Sequence, residues 1–578
     1  MTRLINDHAE FAAQALAGFA ASQVDRVTAV HGGIVRSTTC PDGQVAVIMG
    51  GGSGHFPAFA GWVGPGFGNG AACGNVFASP SESQIVSVAR ACDNAGGLIF
   101  VPINYSGDIL SFGAAAETLR REGIDVRIVP VTDDIASAPA SAWSTRRGIA
   151  GCFVVLKIVG AAAEQGRSLD EVEGVARAAN EATRSFGVAF SGCTLPGAAA
   201  PLFVVPPGRM ALGLGIHGEP GIAETDMGTA DDVARLLVEG LFDERPPEPG
   251  RRVAVFVNGL GATKYDELFL VFARVRELIE TSGMRVVAPV VGEQVTSFDM
   301  AGLSVSLTYL DADLEELWLA PTDTSSFALG AVARGARREF AEPADGDEPP
   351  IPEASPVSQS AALYLAHAFV SVHGAIAENE EHLGMIDAVA GDGDHGMGMM
   401  RGVTAAKLAA EQAAAHGAGV GTLLARAGAA WSEQGGGTSG ALWGVGLSAA
   451  GASIGDTQAL PDDAGAPDQR LRPVVEATRA FSDAILATGG AELGDKTMVD
   501  AIVPFVDMLE RAIEAGSTLA DAWAKAATAS TEAADRTADV VSRRGRSRIH
   551  GARSLGVPDA GAVSFALIVS AVLGQEAR

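Results

Sequence analysis

The sequence predicts an α/β domain followed by an all-α domain, and three observations carry this prediction. Between about residues 44 and 320, short β-branched runs alternate with alanine-rich stretches of helical spacing, as in layered α/β folds. An acidic, proline-rich segment, "FAEPADGDEPPIPEASP", then interrupts the alternation. Beyond that segment every long stretch has helical spacing, which is typical of an all-α domain.

The first half supplies the strands and helices of the α/β domain. The strands are β-branched runs such as "VAVIM", "GGLIFVPI", "VRIVPV", "RVAVFV" and "RVVAPVVG". The helices between them include "SQIVSVARACDN" and "DILSFGAAAETLRREG". This alternation of strand and helix favours a sheet packed against helices.

The strand "QVAVIM" runs into the glycine-rich loop "GGGSGHFPAFAG". The loop is neither a dinucleotide fingerprint nor a nucleophile elbow, because His55 stands where each of them requires glycine. It is not a P-loop either, because no lysine follows the glycines. What remains is a loop whose backbone amides can surround a small polar ligand, with the His55 imidazole at its edge.

The composition of the chain changes at residues 340–356, where proline and acidic residues replace large apolar ones. Such a segment predicts an interdomain linker. After it, alanine-rich stretches such as "LRPVVEATRAFSDAILATGG" and "AIVPFVDMLERAIEAG" alternate with glycine or polar breaks. They predict an all-α domain of roughly 220 residues.

Charge and cysteine usage exclude several classes of protein. The net charge of -28 repels a polyphosphate backbone, so we expect no nucleic-acid partner. The five cysteines are odd in number and form no CxxC pair, which argues against a disulfide framework or a zinc site and favours a reducing compartment. We find neither a signal-peptide pattern nor an uncharged apolar run long enough to span a bilayer. We therefore expect a cytoplasmic protein with no membrane partner.

The stretch "MIDAVAGDGDHGMGM" places Asp387, Asp392 and Asp394 within eight residues. It is either a solvated acidic turn or a site for divalent cations. Two carboxylates about 4 Å apart repel each other by roughly 4 kcal/mol at an effective dielectric constant near 20. Because glycines would fold three such groups together, we favour the cation site, and its all-oxygen ligands suit Mg²⁺ or Ca²⁺ rather than zinc.

Three further segments of the second half have features of a nucleotide site. The segment "EQGGGTSGALWG" opens a helix, and its amides with the hydroxyls of Thr438 and Ser439 could hold phosphates. A second segment, "GDKTMVDA", precedes another helix and offers Asp495, Lys496 and Thr497. The third, "GRSRIHGARSLGVPDAGA", directly follows Arg544 and places Arg546, Arg548 and Arg553 before Asp559. Each glycine could instead simply cap a helix, but together with the acidic loop these segments indicate a Mg-nucleotide site on a helical bundle.

The order and spacing of eight motifs identify a family. They are "GGGSGH", "NYSGD", "GIHGEPG" and "DMAGLS" in the first half, and "GDGDHG", "GGTSGALWG", "GDKTMVDA" and "RSLGVPDAGA" in the second. Over essentially its whole length the chain resembles the ATP-dependent dihydroxyacetone kinases. The resemblance implies a two-lobed α/β substrate domain at residues 1–338, with lobes of about 1–185 and 186–338. It further implies a linker at 339–357 and an antiparallel helical barrel at 358–578 that binds ATP and Mg²⁺.

The resemblance also assigns roles in the α/β domain. His217 of "GIHGEPG" is the residue whose imidazole nitrogen adds to the ketone as a hemiaminal, a bond that glycerol cannot form. Asp108 of "NYSGD" is the general base for the attacking hydroxyl, although it could also cap its helix. His55 hydrogen-bonds the substrate. The remaining loop contacts are Gly52, Ser53 and Gly54.

In the helical domain the resemblance implies two Mg²⁺ ions on Asp387, Asp392 and Asp394, which neutralise the triphosphate while the protein positions it. The nucleotide contacts come from the matching motifs: His395, Gly396, Gly436, Gly437, Thr438, Ser439, Gly440, Asp495, Lys496, Thr497, Met498, Arg553, Asp559 and Gly561. The family's α/β domains commonly pair, so we also expect a homodimer formed through the N-terminal domain.

Three positions near the ketose loop depart from the family pattern. Phe56 replaces a carboxylate, Phe59 replaces an imidazole, and Ile103 replaces a lysine. One interpretation is compensated drift behind the site. The other is a pocket reshaped for a different ketose, such as D- or L-erythrulose, which has one carbon more than dihydroxyacetone.

Three alternative functions remain open at this point. The first is the phosphoprotein-dependent branch of the family, in which the two domains are separate chains. The second is an FMN-cyclase-type lyase activity of the helical domain. The third is a catalytically silent ketose sensor or coregulator, which loss of one of the three aspartates would have favoured. All three aspartates are present, so we favour a ketose kinase.

Overall fold

The computed structural model describes residues 4–219, 221–246, 250–332, 335–336, 350–389, 391, 393–457, 467–544 and 554–572. The chain divides into two compact units, Met1–Pro343 and Ala344–Arg578. The predicted linker lies mainly outside the described residues, since residues 337–349 are among those that the structure leaves out. Each unit is described below by itself.

The first unit begins with a six-stranded mixed sheet in the order β1-β2-β4-β3-β5-β6. Its strands are β1 Val27–Val30, β2 Gly33–Arg36, β3 Ala46–Ser53, β4 Gly70–Val76, β5 Leu98–Phe100 and β6 Val126–Ile128. Three helices accompany them: α1 Phe11–Ser22, α2 Glu82–Cys92 and α3 Ser106–Arg121. Strand β3 is buried from Ala46 to Gly52, as expected for a strand covered on both faces.

A second six-stranded sheet has the order β11-β10-β12-β7-β8-β9. Its strands are β7 Thr183–Ala189, β8 Arg209–Leu212, β9 Ala223–Asp226, β10 Arg252–Gly259, β11 Arg285–Gly292 and β12 Gly302–Leu310. The helices of this part are α4 Cys152–Glu164, α5 Leu169–Ala182, α6 Ala230–Asp243, α7 Tyr265–Thr281 and α8 Ala312–Leu319. A short ribbon follows, formed by β13 Thr322–Asp323 and β14 Ala328–Leu329.

Helix α4 lies in the middle of the first unit. Its residues Cys152–Ala163 are all buried, and they share one hydrophobic core with residues of both sheets. The first sheet contributes side chains such as Val47 and Met49, and the second contributes Phe256 and Leu310. A helix that is apolar on every side is expected at such a position. The predicted α/β class is therefore confirmed, with a buried helix connecting the two sheets.

Lys157 is the exception within this apolar helix. Its side chain is completely buried, and its ammonium donates hydrogen bonds to the carbonyl oxygens of Leu317 and Ala320 at 2.5 and 2.6 Å. These carbonyls lie at the C-terminal end of α8, where the helix leaves its acceptors unsatisfied and attracts positive charge. Lys157 thus fixes α8 to α4. Burial lowers the pKa of its ammonium to about 7.

The second unit contains eight described helices. They are α9 Pro356–Asp387, α10 His395–Ala415, α11 Val420–Gly435, α12 Gly437–Ile454, α13 Pro467–Gly489, α14 Val499–Glu514, α15 Leu519–Arg536 and α16 Ala560–Val572. Each helix packs against the next along the chain, and α16 packs back against α9, so the ring of helices closes. The predicted all-helical second domain is confirmed.

Among the described helices, α9 alone is long and apolar enough to cross a membrane by length and composition. Its buried residues recur at helical spacing, as at Ala362, Ala366, Phe369, Val372 and Ile376, and they belong to the core of the helical unit. That spacing is typical of a helix with one face in a protein core.

We predict that replacing Lys157 with methionine makes stability less dependent on pH. The folded-state pKa of about 7 lies below the ordinary lysine value of 10.5. The stability associated with neutral Lys157 is therefore complete above pH 10.5 and is lost as the pH falls towards 7. Between about pH 7 and 9, the unfolding free energy of the native protein minus that of Lys157→Met should rise by about 1.4 kcal/mol per pH unit.

Urea denaturation of both proteins across this pH range measures the difference. Lys264→Met is the matched control, because Lys264 is an exposed lysine of the same unit. Its difference from the native protein should stay constant with pH. Parallel pH profiles for the native protein and Lys157→Met would contradict the burial argument.

Candidate active site

Two buried histidines from different sheets meet in the first unit. His55 lies in the loop after β3, and His217 lies in the loop between β8 and β9. Their ring centroids are 4.7 Å apart with the planes at 79°, and the residues are 0% and 3% exposed. The structure therefore brings together the two imidazoles that the sequence assigned to the ketose.

The hydrogen-bond partners of these histidines define their tautomers. His55 Nδ1 lies 2.8 Å from the carbonyl oxygen of Thr296, and His217 Nδ1 lies 3.0 Å from Oε1 of Glu219. A carbonyl and a carboxylate can only accept, so each Nδ1 carries the hydrogen. In the neutral rings the lone pair is then on Nε2. His217 Nε2 is consequently the nitrogen that can add to a carbonyl carbon.

Aromatic side chains hold both imidazoles in place. Phe77 stacks flat on His55, with centroids 4.8 Å apart and planes at 11°, and meets His217 edge-to-face at 5.1 Å. Tyr105 meets His217 edge-to-face from another direction at 4.8 Å. Phe77 has a φ of 53°, a left-handed conformation that costs a non-glycine residue about 1 kcal/mol or more. The surrounding structure offsets this cost and keeps the ring between the two histidines.

A buried ion pair lies behind His217. Arg147 and Asp134 are 2.8 Å apart, and both side chains are almost completely buried. Burial opposes the charge of Arg147, but Asp134, Tyr105 and Glu219 outweigh it and raise the pKa of the guanidinium. The carboxylate that orients His217 is therefore next to a permanent positive charge.

Asp108 is the third residue of α3 and is 3% exposed. The N-cap of this helix is Tyr105, so Asp108 does not occupy the capping position. Because Tyr105 touches His217, the first turn of α3 begins beside the histidine pair. The general-base role of Asp108 stays a prediction.

The glycines of "GGGSGH" have a physical reason in the packing of the loop, beside the ligand contacts that the sequence suggested. A Cβ on Gly51 would lie 2.4 Å from the ring of Phe59, and one on Gly52 would lie 2.6 Å from the backbone nitrogen of Ala78. Gly54 has a φ of 110° and lies against two aromatic rings. The protein's own chain occupies the space that these glycines leave.

The ligand contacts predicted for Gly52, Ser53 and Gly54 are not required to explain this packing, and they stay predictions. The hydroxyl of Ser53 donates to the carbonyl oxygen of Gly74 at 2.7 Å, so it connects β3 to β4. The start of the loop, directly before His55, is thus fixed to the sheet.

Two of the three departures from the family pattern lie in the hydrophobic core, and the third is half-exposed. Phe59 and Ile103 are 3% and 2% exposed and belong to the main hydrophobic core. Phe56 is 51% exposed, and its ring meets Phe19 of α1 edge-to-face at 5.3 Å. Phe59 and Ile103 are therefore core residues, and both interpretations of the three departures stay predictions.

In the helical unit the acidic loop joins α9 to α10. Asp387 is the last residue of α9, and its Oδ2 accepts a hydrogen bond from the backbone N–H of Gly393 at 2.9 Å. Asp394 stands directly before α10. Asp392 lies outside the described residues. Among the residues that are described, no group of three or more His, Cys, Asp or Glu side chains is placed to hold a metal ion.

Electrostatic coupling shows that the acidic loop shares its surroundings with two other predicted motifs. Burial, together with the charges of Asp387 and Asp500, raises the pKa of Asp559 to about 7, against the hydrogen bond from the Ala562 N–H and the charge of Lys496. Burial also lowers the pKa of His395, against the influence of Asp387. Negative charge thus accumulates at one place in this unit. Carboxylate oxygens that repel one another fit a divalent cation such as Mg²⁺.

The other predicted nucleotide residues stand at helix starts. Helix α12 begins at Gly437, so Thr438, Ser439 and Gly440 form its first turn, where backbone N–H groups can bind phosphate. Gly436 and Gly437 have φ values of 58° and 60°, which favour glycine. Gly396 lies in the first turn of α10, with the carbonyl oxygen of Glu380 2.0 Å from the position of its missing Cβ.

Lys496 and Asp495 have protein partners. The Lys496 ammonium donates to the carbonyl oxygens of Ser554 and Val557, and Asp495 pairs with Arg544 at 3.1 Å. Both contacts attach the segment before α14 to the segment before α16. The structure therefore gives these two residues a positioning role beside their predicted contact with nucleotide.

Thr497 and Met498 directly precede α14. Near Met498 lies Gly561, since a Cβ on Gly561 would be 3.3 Å from Cβ of Met498 and 3.1 Å from Oδ1 of Asp559. Arg553, together with Arg546 and Arg548, lies outside the described residues.

Sequence reasoning missed several residues around the histidines. Glu219 was within reach, because it follows His217 by two residues in the same motif. Tyr105 was also within reach, because it lies in the motif "NYSGD". Phe77 and Arg147 carry no local signal, since their role depends on contacts between distant parts of the chain.

The chain is similar to known domain families and proteins over most of its length. Residues 17–326 match the Dak1 domain and residues 389–574 match the DAK2 domain. The chain is 50% identical over 576 residues to L-erythrulose 1-kinase of Mycolicibacterium smegmatis, with 99% of each protein covered. It is 48% identical to D-erythrulose kinase of the same species, with 99% of this chain and 98% of that protein covered. Among solved structures, the dihydroxyacetone kinase from C. freundii in complex with AMP-PNP and Mg²⁺ matches with a TM-score of 0.52 and 29% identity, covering 99% of both chains.

We predict that Gly51→Ala destabilises the protein because the new methyl group meets the Phe59 ring. Overpacking of this kind typically costs about 1–3 kcal/mol. In a Phe59→Ala background the same change should cost less, since the ring is gone. The free energies of unfolding of the two single variants and the double variant measure this coupling.

Gly113→Ala is the matched control, because a Cβ there meets nothing within 4 Å. It should leave stability unchanged or slightly raised. Equal costs of Gly51→Ala in both backgrounds would show that something other than Phe59 requires the glycine.

Proposed function

The chain belongs to the dihydroxyacetone kinase family and is a kinase, and on that premise we propose that it phosphorylates a terminal hydroxyl of a short-chain ketose with ATP as donor. During the transfer the ketone is held covalently as a hemiaminal on His217. The substrate is dihydroxyacetone or a ketotetrose such as D- or L-erythrulose. The observation that carries this proposal is the contact between two buried imidazoles of defined tautomer.

The hemiaminal follows from the position of the lone pair on His217. Glu219 accepts from Nδ1 at 3.0 Å, so the nucleophilic electron pair is on Nε2. A neutral imidazole is present at pH 7 in an appreciable fraction, because its ordinary pKa is about 6.5. A carbonyl carbon can accept this electron pair and a polyol cannot, so the covalent bond selects ketoses over glycerol by chemistry rather than by shape.

His55 and Asp108 complete the proposed catalytic group. With its Nδ1 hydrogen directed at Thr296, His55 presents an acceptor nitrogen that can bind a hydroxyl of the ketose. Asp108, buried in the first turn of α3, takes the proton of the hydroxyl that attacks the γ-phosphorus. A carboxylate at a helix N-terminus is stabilised by the helix dipole.

The identity of the ketose is proposed at the level of three or four carbons. The relatives named above act on L- and D-erythrulose and are 50% and 48% identical to this chain, so similarity favours neither enantiomer. The core positions of Phe59 and Ile103 do not decide between three and four carbons either.

The nucleotide is proposed to bind to the helical unit with two Mg²⁺ ions. Asp387, Asp392 and Asp394 are the proposed ligands, and the ions neutralise the charge of the triphosphate. The first turn of α12 receives phosphate through its N–H groups and the hydroxyls of Thr438 and Ser439. Support comes from the accumulated negative charge at Asp387 and Asp559 and from the related kinase with AMP-PNP and Mg²⁺.

We also propose that the protein acts in the cytoplasm and forms a homodimer through its N-terminal unit. All five cysteines lie in the described part of the chain and none forms a disulfide, which supports a reducing compartment. Analytical ultracentrifugation of the full chain tests the dimer.

The proposed reaction predicts ADP release that depends on a carbonyl substrate. Dihydroxyacetone, D-erythrulose, L-erythrulose, glyceraldehyde and glycerol are compared with MgATP, and at least one ketose should be turned over while glycerol is not. His217→Asn should retain the fold and lose this activity, because its amide cannot add to a ketone. Equal activity on glycerol, or an unchanged rate for His217→Asn, would contradict the covalent mechanism.

We further predict that Asp387→Asn impairs phosphoryl transfer and leaves ketose binding intact. It should reduce ADP release by at least about 100-fold, because a carboxylate ligand of the cation is lost, while ketose binding to the first unit is unchanged. The control is Asp483→Asn, an exposed aspartate of the same unit. Activity of Asp387→Asn equal to that of the control would remove Asp387 from the metal site.

A further inference from the structure

A carboxylate and a guanidinium lie directly behind His217. Both oxygens of Glu219 contact this histidine, since Oε1 accepts from the ring Nδ1 at 3.0 Å and Oε2 accepts from the backbone N–H at 3.1 Å. Glu219 is only 2% exposed. The carboxylate is therefore held at two points and cannot turn away from the ring without losing a hydrogen bond.

Arg147 faces the same carboxylate. Its Nε and Nη2 donate to Oδ2 of Asp134 at 3.0 and 2.8 Å, and Nη2 also donates to the carbonyl oxygen of Gly213. Its buried Nη1 has no hydrogen-bond partner within the described part of the chain. Nη1 and Oε2 of Glu219 lie 2.8 and 2.0 Å from the point where a Cβ of Gly215 would stand. The glycine thus allows the carboxylate and the guanidinium to approach each other.

We propose that Glu219, positioned and balanced by Arg147, is the counter-ion of the ketose adduct on His217. This inference rests on the proposed function, because it concerns the covalent step of that reaction. Glu219 acts through His217 and is a positioning residue, while Arg147 acts through Glu219.

The covalent step creates the charge that needs a counter-ion. The Nε2 lone pair forms a bond to the carbonyl carbon, the C=O π bond breaks, and its electron pair goes to the oxygen, which takes one proton from solvent. The ring still carries its Nδ1 hydrogen and is now an imidazolium. Addition of a ketone therefore takes up one proton, and that hydrogen lies in the hydrogen bond between Nδ1 and Glu219.

The groups around Glu219 explain why the imidazolium on His217 needs this particular carboxylate. Among the described residues, His217 hydrogen-bonds to Glu219, and Arg147, Asp134 and Cys193 interact with it electrostatically. Tyr105 and His55 are ionisable groups in contact with the His217 ring. Without Glu219, an imidazolium on His217 would face the cation of Arg147 in a buried site, which is unfavourable. The ring would then lose its Nδ1 proton on forming the adduct, and no net proton would be taken up.

Glu219→Gln tests the inference by proton uptake. The ketose that the native chain turns over is titrated without ATP near pH 8, above the ordinary imidazole pKa of about 6.5. Calorimetry in buffers of different ionisation enthalpy gives the number of protons bound per ketose. We expect one proton for the native protein and none for Glu219→Gln, with binding weakened about 10- to 100-fold by loss of a charge-assisted hydrogen bond.

Two variants accompany this measurement. Glu219→Asp keeps the charge on a shorter side chain, so it should still take up one proton while binding the ketose more weakly. Glu224→Gln removes an exposed carboxylate of the neighbouring strand β9 and should behave as the native protein does. Arg147→Gln is a poor test, because it would leave Asp134 buried without its cation.

NMR of a ketose labelled with ¹³C at the carbonyl carbon separates the two proposals. Absence of a tetrahedral carbon signal in the native protein would overturn the covalent mechanism itself. A tetrahedral signal in both proteins, with one proton taken up by each, would overturn the role of Glu219 alone. Loss of proton uptake confined to Glu219→Gln supports it.

Discussion

Two adjacent buried carboxylates, Asp133 and Asp134, connect the active site of the first unit to its core. Asp133 accepts hydrogen bonds from the backbone N–H groups of Ile149 and Gly151 at 2.8 Å, directly before α4 begins. Asp134 pairs with Arg147. Burial raises the pKa of Asp133 to about 6, against the hydrogen bonds that favour its charged form. One carboxylate therefore fixes the start of the buried helix, and its neighbour fixes the cation behind the histidine.

The same arrangement also keeps the His217 imidazole in a fixed position. In the proposed reaction the imidazole of His217 must keep one tautomer and one orientation, or its lone pair would miss the ketone. Phe77 and Tyr105 restrict the ring from two directions, and Glu219 holds its far nitrogen. The backbone N–H of Phe77 donates to the carbonyl oxygen of Ser53 at the end of β3, and Tyr105 belongs to the main hydrophobic core. The precision of the site is thus a property of the core beneath it.

The fold could be predicted from the sequence because its signals are local. Alternating β-branched and alanine-rich runs gave the α/β class, and helical spacing after the linker gave the all-helical unit. The candidate site was harder to predict from the sequence. His55 and His217 were named through motifs, but their contact depends on two loops of different sheets. The proximity of Arg147 to Glu219 has no signal in the local sequence. Lys496 was named through its motif, but its ammonium donates to two backbone carbonyl oxygens, which the motif does not indicate.

The packing around the "GGGSGH" loop bears on how such chains are recognised from sequence. Aromatic rings and backbone atoms of the protein lie where Cβ atoms of these glycines would stand. A related protein with the same packing therefore needs the glycines even if it is not catalytically active. In the proposed reaction, the spacing of His217 and Glu219 is instead required by the chemistry of the adduct. In a search for working enzymes among such proteins, the short histidine–glutamate signature is therefore the more informative marker, because the loop glycines by themselves report the packing of the fold.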